Sequence, residues 1–479
     1  MATISGGSVA AIEADYLVVG SGAVGMAFAD VLLHETDHTM VVVDRHHAPG
    51  GHWNDAYPFV RLHQPSATYG VNSRDLGSGA RDRTALNLGL CERASSASIL
   101  YYYEELMRDF VDSGRLRYFP MCEYEGDYVE RHRFTSLTGG EIHEAHVRDK
   151  VVDTSYLNTA VPSTHPPKYG VAAGVECVPP NDLPHVKRPP AGYVVIGAGK
   201  TGIDACLWLL QNQVSPDDIC WIVPRDPWLQ NRANVQPAEE FFERSFGAFA
   251  IQAEIAAAAE TIDALFAQLE ATGQLLRLDT GVTPTMYHGA IVSLAELHAL
   301  RQIKNVVRMG RIQRIERDRI LLERGTAESS SECLYVDCSA SAVERRPATP
   351  IFTGRKITPQ MVRALQPTFS SAFIAHIEAS IVGETEKNEL CTPIPMSDAP
   401  QDWLNMMLMN LTNQDRWRRD PQLRDWITRS RLDRFSDLAR KATPADAHKV
   451  ALLQRYGHAA SAAVPNLQRL IANATAPGS

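Results

Sequence analysis

Two short apolar runs, each closed by a glycine-rich turn, organise the hydrophobic pattern of this chain. The first is Tyr16-Leu17-Val18-Val19, which runs into Gly20-Ser21-Gly22-Ala23-Val24-Gly25 and leads on to Val41-Val42-Val43-Asp44. The second is Tyr193-Val194-Val195-Ile196, which runs into Gly197-Ala198-Gly199-Lys200-Thr201-Gly202 and leads on to Trp221-Ile222-Val223-Pro224-Arg225. A run of about four apolar residues before a glycine turn reads as a buried strand, and the stretch after each turn reads as a helix. A lone G-x-G-x-x-G is a weak signal. The same signal twice, each time between a strand and a helix, predicts two dinucleotide-binding units.

The stretches downstream repeat as well. Residues 115–150 alternate as short strands with turns at Gly126-Asp127 and Gly139-Gly140, then enter Lys150-Val151-Val152-Asp153-Thr154-Ser155. Residues 305–332 do the same, with Arg311 to Glu323 reading as a hairpin, and enter Leu334-Tyr335-Val336-Asp337-Cys338-Ser339. The closing strings VVDTS and YVDCS are near copies, as a repeated domain produces. The fold predicted is α/β: two nested Rossmann-like domains with β-meander crossovers and a helical C-terminal region. The expected boundaries are 1–165 for the first part of the first domain, 166–332 for the second domain, 333–400 for the return to the first, and 401–479 for the helical region. Residues 239–275 read as a helical insertion, either walling a cleft or simply packing a core, and Ser293 with Glu296 forms a capping box that opens another helix. The methionine-rich stretch Asp402 to Met409 reads as a core helix or as an adaptable surface.

Each glycine has its own physical task. Gly20 and Gly197 permit the tight turn, Gly22 and Gly199 leave room for a pyrophosphate, and Gly25 and Gly202 let the helix approach the strand. Ala23, Val24, Lys200 and Thr201 open the two helices, where unpaired N–H groups attract phosphate. At the ends of the second strands, alignment sets Asp44 opposite Pro224 and Arg45 opposite Arg225. An acid there accepts hydrogen bonds from a free ribose, and an arginine suits a ribose 2′-phosphate. The alternative for Arg225 is a solvated charge paired with Asp226.

Composition narrows the class. A chain of 479 residues leaves room for about three domains. With 44% hydrophobic and 22% charged residues it reads as an ordinary globular protein, and a net charge of −9 argues against a general nucleic-acid surface. The opening MATISGGSVAAIEAD lacks a charged, apolar leader, and Leu17 to Leu33 reads as strand-turn-helix, so no secretory signal and no membrane span are expected. None of the eight cysteines forms a C-x-x-C pair, which points to reduced thiols, a cytoplasmic location and no dithiol centre. His143-Glu144-Ala145-His146 departs from the H-E-x-x-H spacing, so no metal site is expected.

After Asp44 the chain reads Gly50-Gly51-His52-Trp53-Asn54-Asp55-Ala56-Tyr57-Pro58-Phe59-Val60-Arg61. With both glycine motifs, this stretch resembles the G-G-x-W … Y-P-x-x-R segment of the flavin-containing and Baeyer–Villiger monooxygenase superfamily. The resemblance spans most of residues 14–375, and Val223-Pro224-Arg225-Asp226-Pro227-Trp228 is similar to that superfamily's NADPH-gripping segment. It implies FAD in the first unit, held at the first glycine turn, Asp44, Arg45, Gly51, His52 and Trp53. It implies NADPH in the second, held at the second glycine turn, Lys200, Thr201, Arg225 and Trp228. Trp53 is expected to pack against flavin or sheet. The implied activity is insertion of one atom of molecular oxygen into a small molecule (at nitrogen, sulfur or a ketone) through a hydroperoxyflavin. Gln64, His63 and Arg61 stand nearest to that chemistry, each weighed against an ordinary loop contact, salt bridge or backbone clamp.

Two departures mark the chain as divergent. Residues 161–190 fit no register of the F-x-G-x-x-x-H-x-x-x-W/Y signature, although His165 and His185 are present, and the expected A-T-G turn reads Ser339-Ala340-Ser341. An NADPH-linked reductase, dehydrogenase or oxidase without oxygen insertion therefore stands as an alternative, as does a non-catalytic nucleotide-binding protein. Homo-oligomerisation is left open.

Overall fold

The structure is a computed structural model that describes residues 12–83, 86–340 and 346–475. Most of the opening segment read for a secretory signal, and Ser341 of the altered turn, lie outside the described residues.

The first half begins with β1 (Ile12–Val19), α1 (Ala23–Glu35) and β2 (Met40–Val43), followed by α2 (Ser96–Asp112) and β3 (Leu116–Phe119). A hairpin of β4 (Cys122–Tyr124) and β5 (Arg133–Ser136) then hands the chain to the long β6 (Ile142–Asp153). Strands β6, β1, β2 and β3 lie side by side and parallel, with Val19 paired to both Val43 and Asp153. All four residues of β2 are buried, as a parallel strand covered on both faces requires.

The second half repeats this plan. Short strands β7 (Gly170–Val171) and β8 (Glu176–Val178) precede β9 (Tyr193–Ile196), α3 (Lys200–Gln211) and β10 (Ile219–Ile222). A small sheet of β11 (Leu229–Asn231), β12 (Leu275–Leu276) and β13 (Ile291–Val292) brackets helices α4 (Phe242–Ala258) and α5 (Ile262–Ala271). The chain then passes through α6 (Leu294–Leu300), β14 (Val306–Val307), the meander β15 (Ile312–Ile315), β16 (Arg319–Leu322) and β17 (Gly325–Glu328), and β18 (Leu334–Asp337). The second sheet runs β14-β10-β9-β18-β8 and is parallel throughout. Its strands β18, β9, β10 and β14 take the places of β6, β1, β2 and β3.

That correspondence corrects one boundary. Residues 334–337 were expected to belong to the return into the first domain, but β18 pairs with β9 and β8 and closes the second sheet. The return starts with β19 (Phe352–Thr353) and β20 (Lys356–Ile357), which add to the free side of β6. Helix α7 (Pro367–Ser380) follows and packs across α1. Ten of the thirteen residues of α1 are buried, so its lack of amphipathicity is explained: one face meets the sheet and another meets α7.

Helices α8 (Glu384–Leu390), α9 (Pro400–Arg419), α10 (Pro421–Arg429), α11 (Arg434–Lys441) and α12 (Ala447–Thr475) complete the chain. The methionine-rich start of α9 is a core helix, burying Trp403, Leu404 and Met406 against Phe266 and Leu269 of α5. The α4–α5 insertion shares that core with α12. Among the described residues, no helix is long and apolar enough to cross a membrane.

A Cβ on Gly25 would stand 2.0 Å from the carbonyl oxygen of Gly20, and one on Gly202 would stand 2.0 Å from that of Gly197. A Cβ on Gly199 would meet nothing within 4 Å. Backbone cannot yield as a side chain does, so Gly202→Ala is expected to lower unfolding free energy by about 3 kcal/mol. Gly199→Ala is expected to cost no more than about 1 kcal/mol, the scale of a helix-cap change. Denaturant titration of the two variants checks the contrast.

Candidate active site

The two glycine turns share one geometry. Gly20 and Gly197 adopt φ of +102° and +118°, a region that favours glycine. In each half the closing strand lies directly on the turn: a Cβ on Gly20 would stand 2.5 Å from Thr154 Oγ1, and one on Gly197 would stand 2.7 Å from the Cys338 carbonyl oxygen. Thr154 and Cys338 are equivalent residues. Asp153 accepts from Ser155 N–H at 3.1 Å and Ser155 Oγ at 2.6 Å, and Asp337 accepts from Ser339 N–H at 3.0 Å and Ser339 Oγ at 2.6 Å. The near-identical closing strings thus build the same turn.

Helices α1 and α3 start at Gly22 and Gly199 with no side-chain cap and no acid in the first turn. Side chains do cap other helices, Ser95 for α2, Thr261 for α5 and Ser293 for α6, the last as the expected capping box, while α4 and α8, which lack such a cap, carry acids in their first turns. Bare, acid-free helix starts leave the N–H groups of Ala23, Val24, Lys200 and Thr201 to an anion, so the residues present fit a pyrophosphate in each half. Space over the turns differs. Gly199 faces an opening, whereas Gly22 faces the backbone of Gly51, whose Cα a Cβ on Gly22 would meet at 3.4 Å.

Strand register revises the alignment of the two recognition segments. Val19 pairs with Val43, and Ile196 pairs with Ile222. The next residues, Asp44 and Val223, each donate N–H to the neighbouring strand, at 3.0 and 2.9 Å. Asp44 is therefore the counterpart of Val223, and His46, not Arg45, is the counterpart of Arg225. Counting residues without the register displaced the pair by one. Arg45 is exposed and lies 3.8 Å from Glu123.

Asp44 is buried and its oxygens are already engaged. Oδ2 accepts from Ser21 N–H at 2.5 Å and Ser21 Oγ at 2.8 Å, while Oδ1 accepts from His46 N–H at 2.7 Å and faces His46 Nδ1 at 2.9 Å. His46 Nε2 lies 2.9 Å from Asp55. Hydrogen bonds from His46 and Ser21 hold the Asp44 carboxyl below its usual range against the opposing effect of burial, and the bond to Asp44 raises His46. In the second half Arg225 makes a two-pronged ion pair with Asp398, at 2.9 and 2.5 Å, and His288 Nε2 lies 2.7 Å from the same carboxylate. Its chain neighbour Asp226 pairs instead with Arg308 at 2.9 Å.

The Gly50–Arg61 segment joins the halves. Gly50 N–H donates to Ser21 O at 2.9 Å, fixing the segment to the first glycine turn. Trp53 is buried and its Nε1–H donates to Tyr69 Oη at 2.9 Å. His52 packs beside the Trp53 ring, and burial pushes its imidazole down to about 4. Further on, Tyr57 Oη donates to Asp204 Oδ2 at 2.8 Å and Phe59 stacks on Trp208 at 5.1 Å, both partners on α3. Lys200 pairs with Asp204 one turn along the same helix, so it faces this seam. Burial pulls its ammonium below the ordinary lysine value.

Beneath the seam lies a charged cluster that sequence reading missed. Glu296 sits between Arg232, at 2.7 Å, and Arg93, at 3.2 Å, and all three are buried. Arg232 also donates to His63 O and Ile291 O, each at 2.9 Å, and to Asn87 Oδ1 at 3.2 Å. It thereby ties residues 63 and 87 of the first half to 291 and 296 of the second. His63 Nδ1 receives the Ile291 N–H at 3.4 Å, which leaves the proton of the neutral ring on Nε2. Burial, then the positive charges of Lys200, Arg232 and Arg93, push His63 down to about 3. Gln64 follows it, half-buried. Arg61 is exposed and donates to Arg93 O at 3.0 Å, as a backbone clamp.

The structure thus gathers Tyr57, His63, Lys200, Thr201 and Asp204 along the seam and sets Asp44 and Arg225 at the far ends of their second strands. It does not bring Trp228 to the nucleotide side. That ring is buried against Phe266, at 5.4 Å, with Arg277 over its face, so it is a core residue. His143 likewise stacks on Phe134 at 5.1 Å. Of the residues missed, His46 was within reach through strand register. Arg93, Arg232 and Asp398 carried no local signal, because their partners lie far away in the chain, and Glu296 was legible only as the capping residue of α6.

Two expectations follow from this geometry. Glu296→Gln keeps the capping hydrogen bond but leaves two buried guanidinium groups without a counter-charge. It is expected to cost about 3–5 kcal/mol in chemical denaturation. The Asp44–His46–Asp55 network ties stability to pH. His46 contributes fully below its ordinary value of 6.5, and that contribution is lost as pH rises through the raised folded value. Asp44 contributes above 3.8, and that is lost as pH falls through its lowered folded value. In an NMR titration His46 is expected to titrate above 6.5, and at a lower pH in Asp55→Asn.

Comparison with known proteins agrees with the first-half architecture. Residues 18–72 match the family model described as an NAD(P)-binding Rossmann-like domain. Among solved structures, cyclohexanone monooxygenase from a Rhodococcus species, bound to NADP+, is 13% identical with a TM-score of 0.49, covering 80% of this chain and 89% of that one. A flavin-containing monooxygenase from Stenotrophomonas maltophilia is 14% identical with a TM-score of 0.44, covering 80% of this chain and all of that one. At such identities and scores neither structure assigns a residue role here. The uncharacterized protein Rv2000 of Mycobacterium tuberculosis is 48% identical over 431 residues, 89% of this chain and 79% of that protein. With that identity over most of both chains, the protein belongs to the same family as Rv2000.

Proposed function

We propose that the protein is an FAD- and NADPH-dependent oxidoreductase that inserts one oxygen atom of dioxygen into a small-molecule substrate. One observation carries the reading. Two equivalent glycine turns with bare helix starts occur in one chain, and their recognition segments end differently, in Asp44 and in Arg225. A carboxylate suits a free ribose and a guanidinium suits a ribose 2′-phosphate.

In this reading the first turn and the N–H groups of Ala23 and Val24 hold the FAD pyrophosphate. Asp44 takes the ribose in exchange for the Ser21 hydroxyl. Gly51, His52 and Trp53 lie on the side toward the seam, where Trp53 is locked by Tyr69. The flavin, when bound, supplies the hydride and oxygen chemistry. The chain's own groups orient and exclude water. His63, held down at about 3, is neutral near pH 7 and keeps its proton on Nε2, and Gln64 is its neighbour in the chain. Tyr57 and Asp204 fix α3, and with it the second turn, against the first half.

One observation favours a second reading, a reductase or oxidase without insertion. Of the two histidines between the halves, His185 is exposed and His165 is half-buried, with its Nδ1 3.2 Å from the carbonyl oxygen of its neighbour Pro166. The hydrogen bonds of this stretch to the Gly50–Arg61 segment come from Ser163 and Asn181, which both donate to the Asp55 carbonyl oxygen. The deciding experiment supplies NADPH, isotopically labelled dioxygen and a probe, methyl phenyl sulfide or cyclohexanone, to the purified protein. Label in the oxidised probe supports insertion. NADPH consumption that ends wholly in hydrogen peroxide supports the second reading.

Nucleotide choice gives a separate test. Charge-assisted hydrogen bonds contribute about 1.5–3 kcal/mol. Arg225→Ala is therefore expected to weaken NADPH by roughly tenfold or more and to leave NADH within about twofold, in equilibrium binding.

A further inference from the structure

We propose that Asp398 sets the nucleotide preference of the second half by competing with a ribose 2′-phosphate for Arg225. The inference rests on the reading of Arg225 as a nucleotide contact. Its basis is the geometry of the pair: both outer nitrogens of Arg225 face one oxygen each of Asp398, at 2.9 and 2.5 Å. That fork is the arrangement by which a guanidinium grips a phosphate, so the carboxylate stands where two phosphate oxygens would bind.

Asp398 is fixed from its own backbone. Its N–H and that of Ala399 donate to Asp402 Oδ2, each at 3.0 Å, and its carbonyl accepts from Tyr287 N–H at 2.7 Å. His288 Nε2 approaches Oδ1 from a third side, at 2.7 Å. The backbone bonds fix the Asp398 main chain beside Arg225, and His288 is a further partner of the carboxylate itself. Asp226, the acid next to Arg225 in sequence, is occupied by Arg308 and does not compete.

A 2′-phosphate brings roughly −1.5 to −2 charges to this point. With Asp398 in place it meets a fixed carboxylate and a guanidinium already neutralised. NADH, which lacks the 2′-phosphate, meets no such conflict. The wild-type chain therefore binds NADPH with less advantage over NADH than a free Arg225 would confer, and the Asp398 carboxylate is what withholds it.

The test measures equilibrium binding of NADPH and NADH to the full chain as wild type, Asp398→Asn, Arg225→Ala and the double variant. Asparagine keeps the shape and both backbone bonds, and Asp398→Ala with a thermal melt controls for folding. The expected result is a rise of about tenfold or more in the NADPH-to-NADH affinity ratio in Asp398→Asn, absent from the double variant. An unchanged ratio in Asp398→Asn, while Arg225→Ala still weakens NADPH, overturns the competition and leaves the reading of Arg225 intact. If Arg225→Ala leaves NADPH binding unaltered, Arg225 is no nucleotide contact and both fall.

Discussion

The contact on which each half depends is backbone against backbone. The third glycine of each motif lies against the carbonyl of the first, so close that one methyl group would stand 2.0 Å from the oxygen. That approach brings the helix start under the strand end and aims its free N–H groups along the strand axis. The closing strand then seals the turn from the other side, through Thr154 in one half and Cys338 in the other. Everything placed at the strand ends, Asp44 and Arg225 included, inherits its position from this close packing.

Joining the two halves is a different problem, and the chain solves it with charge. Glu296 between Arg232 and Arg93 is a buried triad, and the desolvation of three ions is costly. Arg232 offsets the cost by placing its remaining donors on two backbone carbonyls and an amide oxygen. Because those acceptors belong to both halves, the network holds only when the halves sit in one relation. Tyr57 on Asp204 and Phe59 on Trp208 align the seam from above. Burial at this junction, aided by the charges of Lys200, Arg232 and Arg93, depresses His63, so the packing of the halves also sets the protonation state of a candidate site residue.

Much of this fold was legible because its signals are local. A strand, a glycine turn and a helix announce themselves within ten residues, and VVDTS and YVDCS repeat a turn whose hydrogen bonds are internal to the string. The capping box at Ser293 was readable for the same reason. What failed was non-local. Residues 334–337 look like the start of a returning strand until β9 and β8 claim them. Trp228 has the right neighbours in sequence for a nucleotide contact, yet its ring is taken up by Phe266 of the inserted helices. The one-residue displacement of Asp44 against Pro224 arose because register is a property of strand pairs, not of one strand.

Corrected register exposes a symmetry that residue counting hid. His46 and Arg225 occupy the same position in the two halves, and each is held by a carboxylate. In the first half the acids are Asp44 and Asp55, both within ten residues, so that recognition segment is complete in itself. In the second half the acid is Asp398, which arrives from beyond the second sheet on the approach to α9. A duplicated unit thus keeps the cation-and-acid pairing but draws the acid from elsewhere. In the proposed reading, recognition at the second nucleotide position is thereby coupled to the approach to α9, whereas His46 draws both of its acids from its own segment.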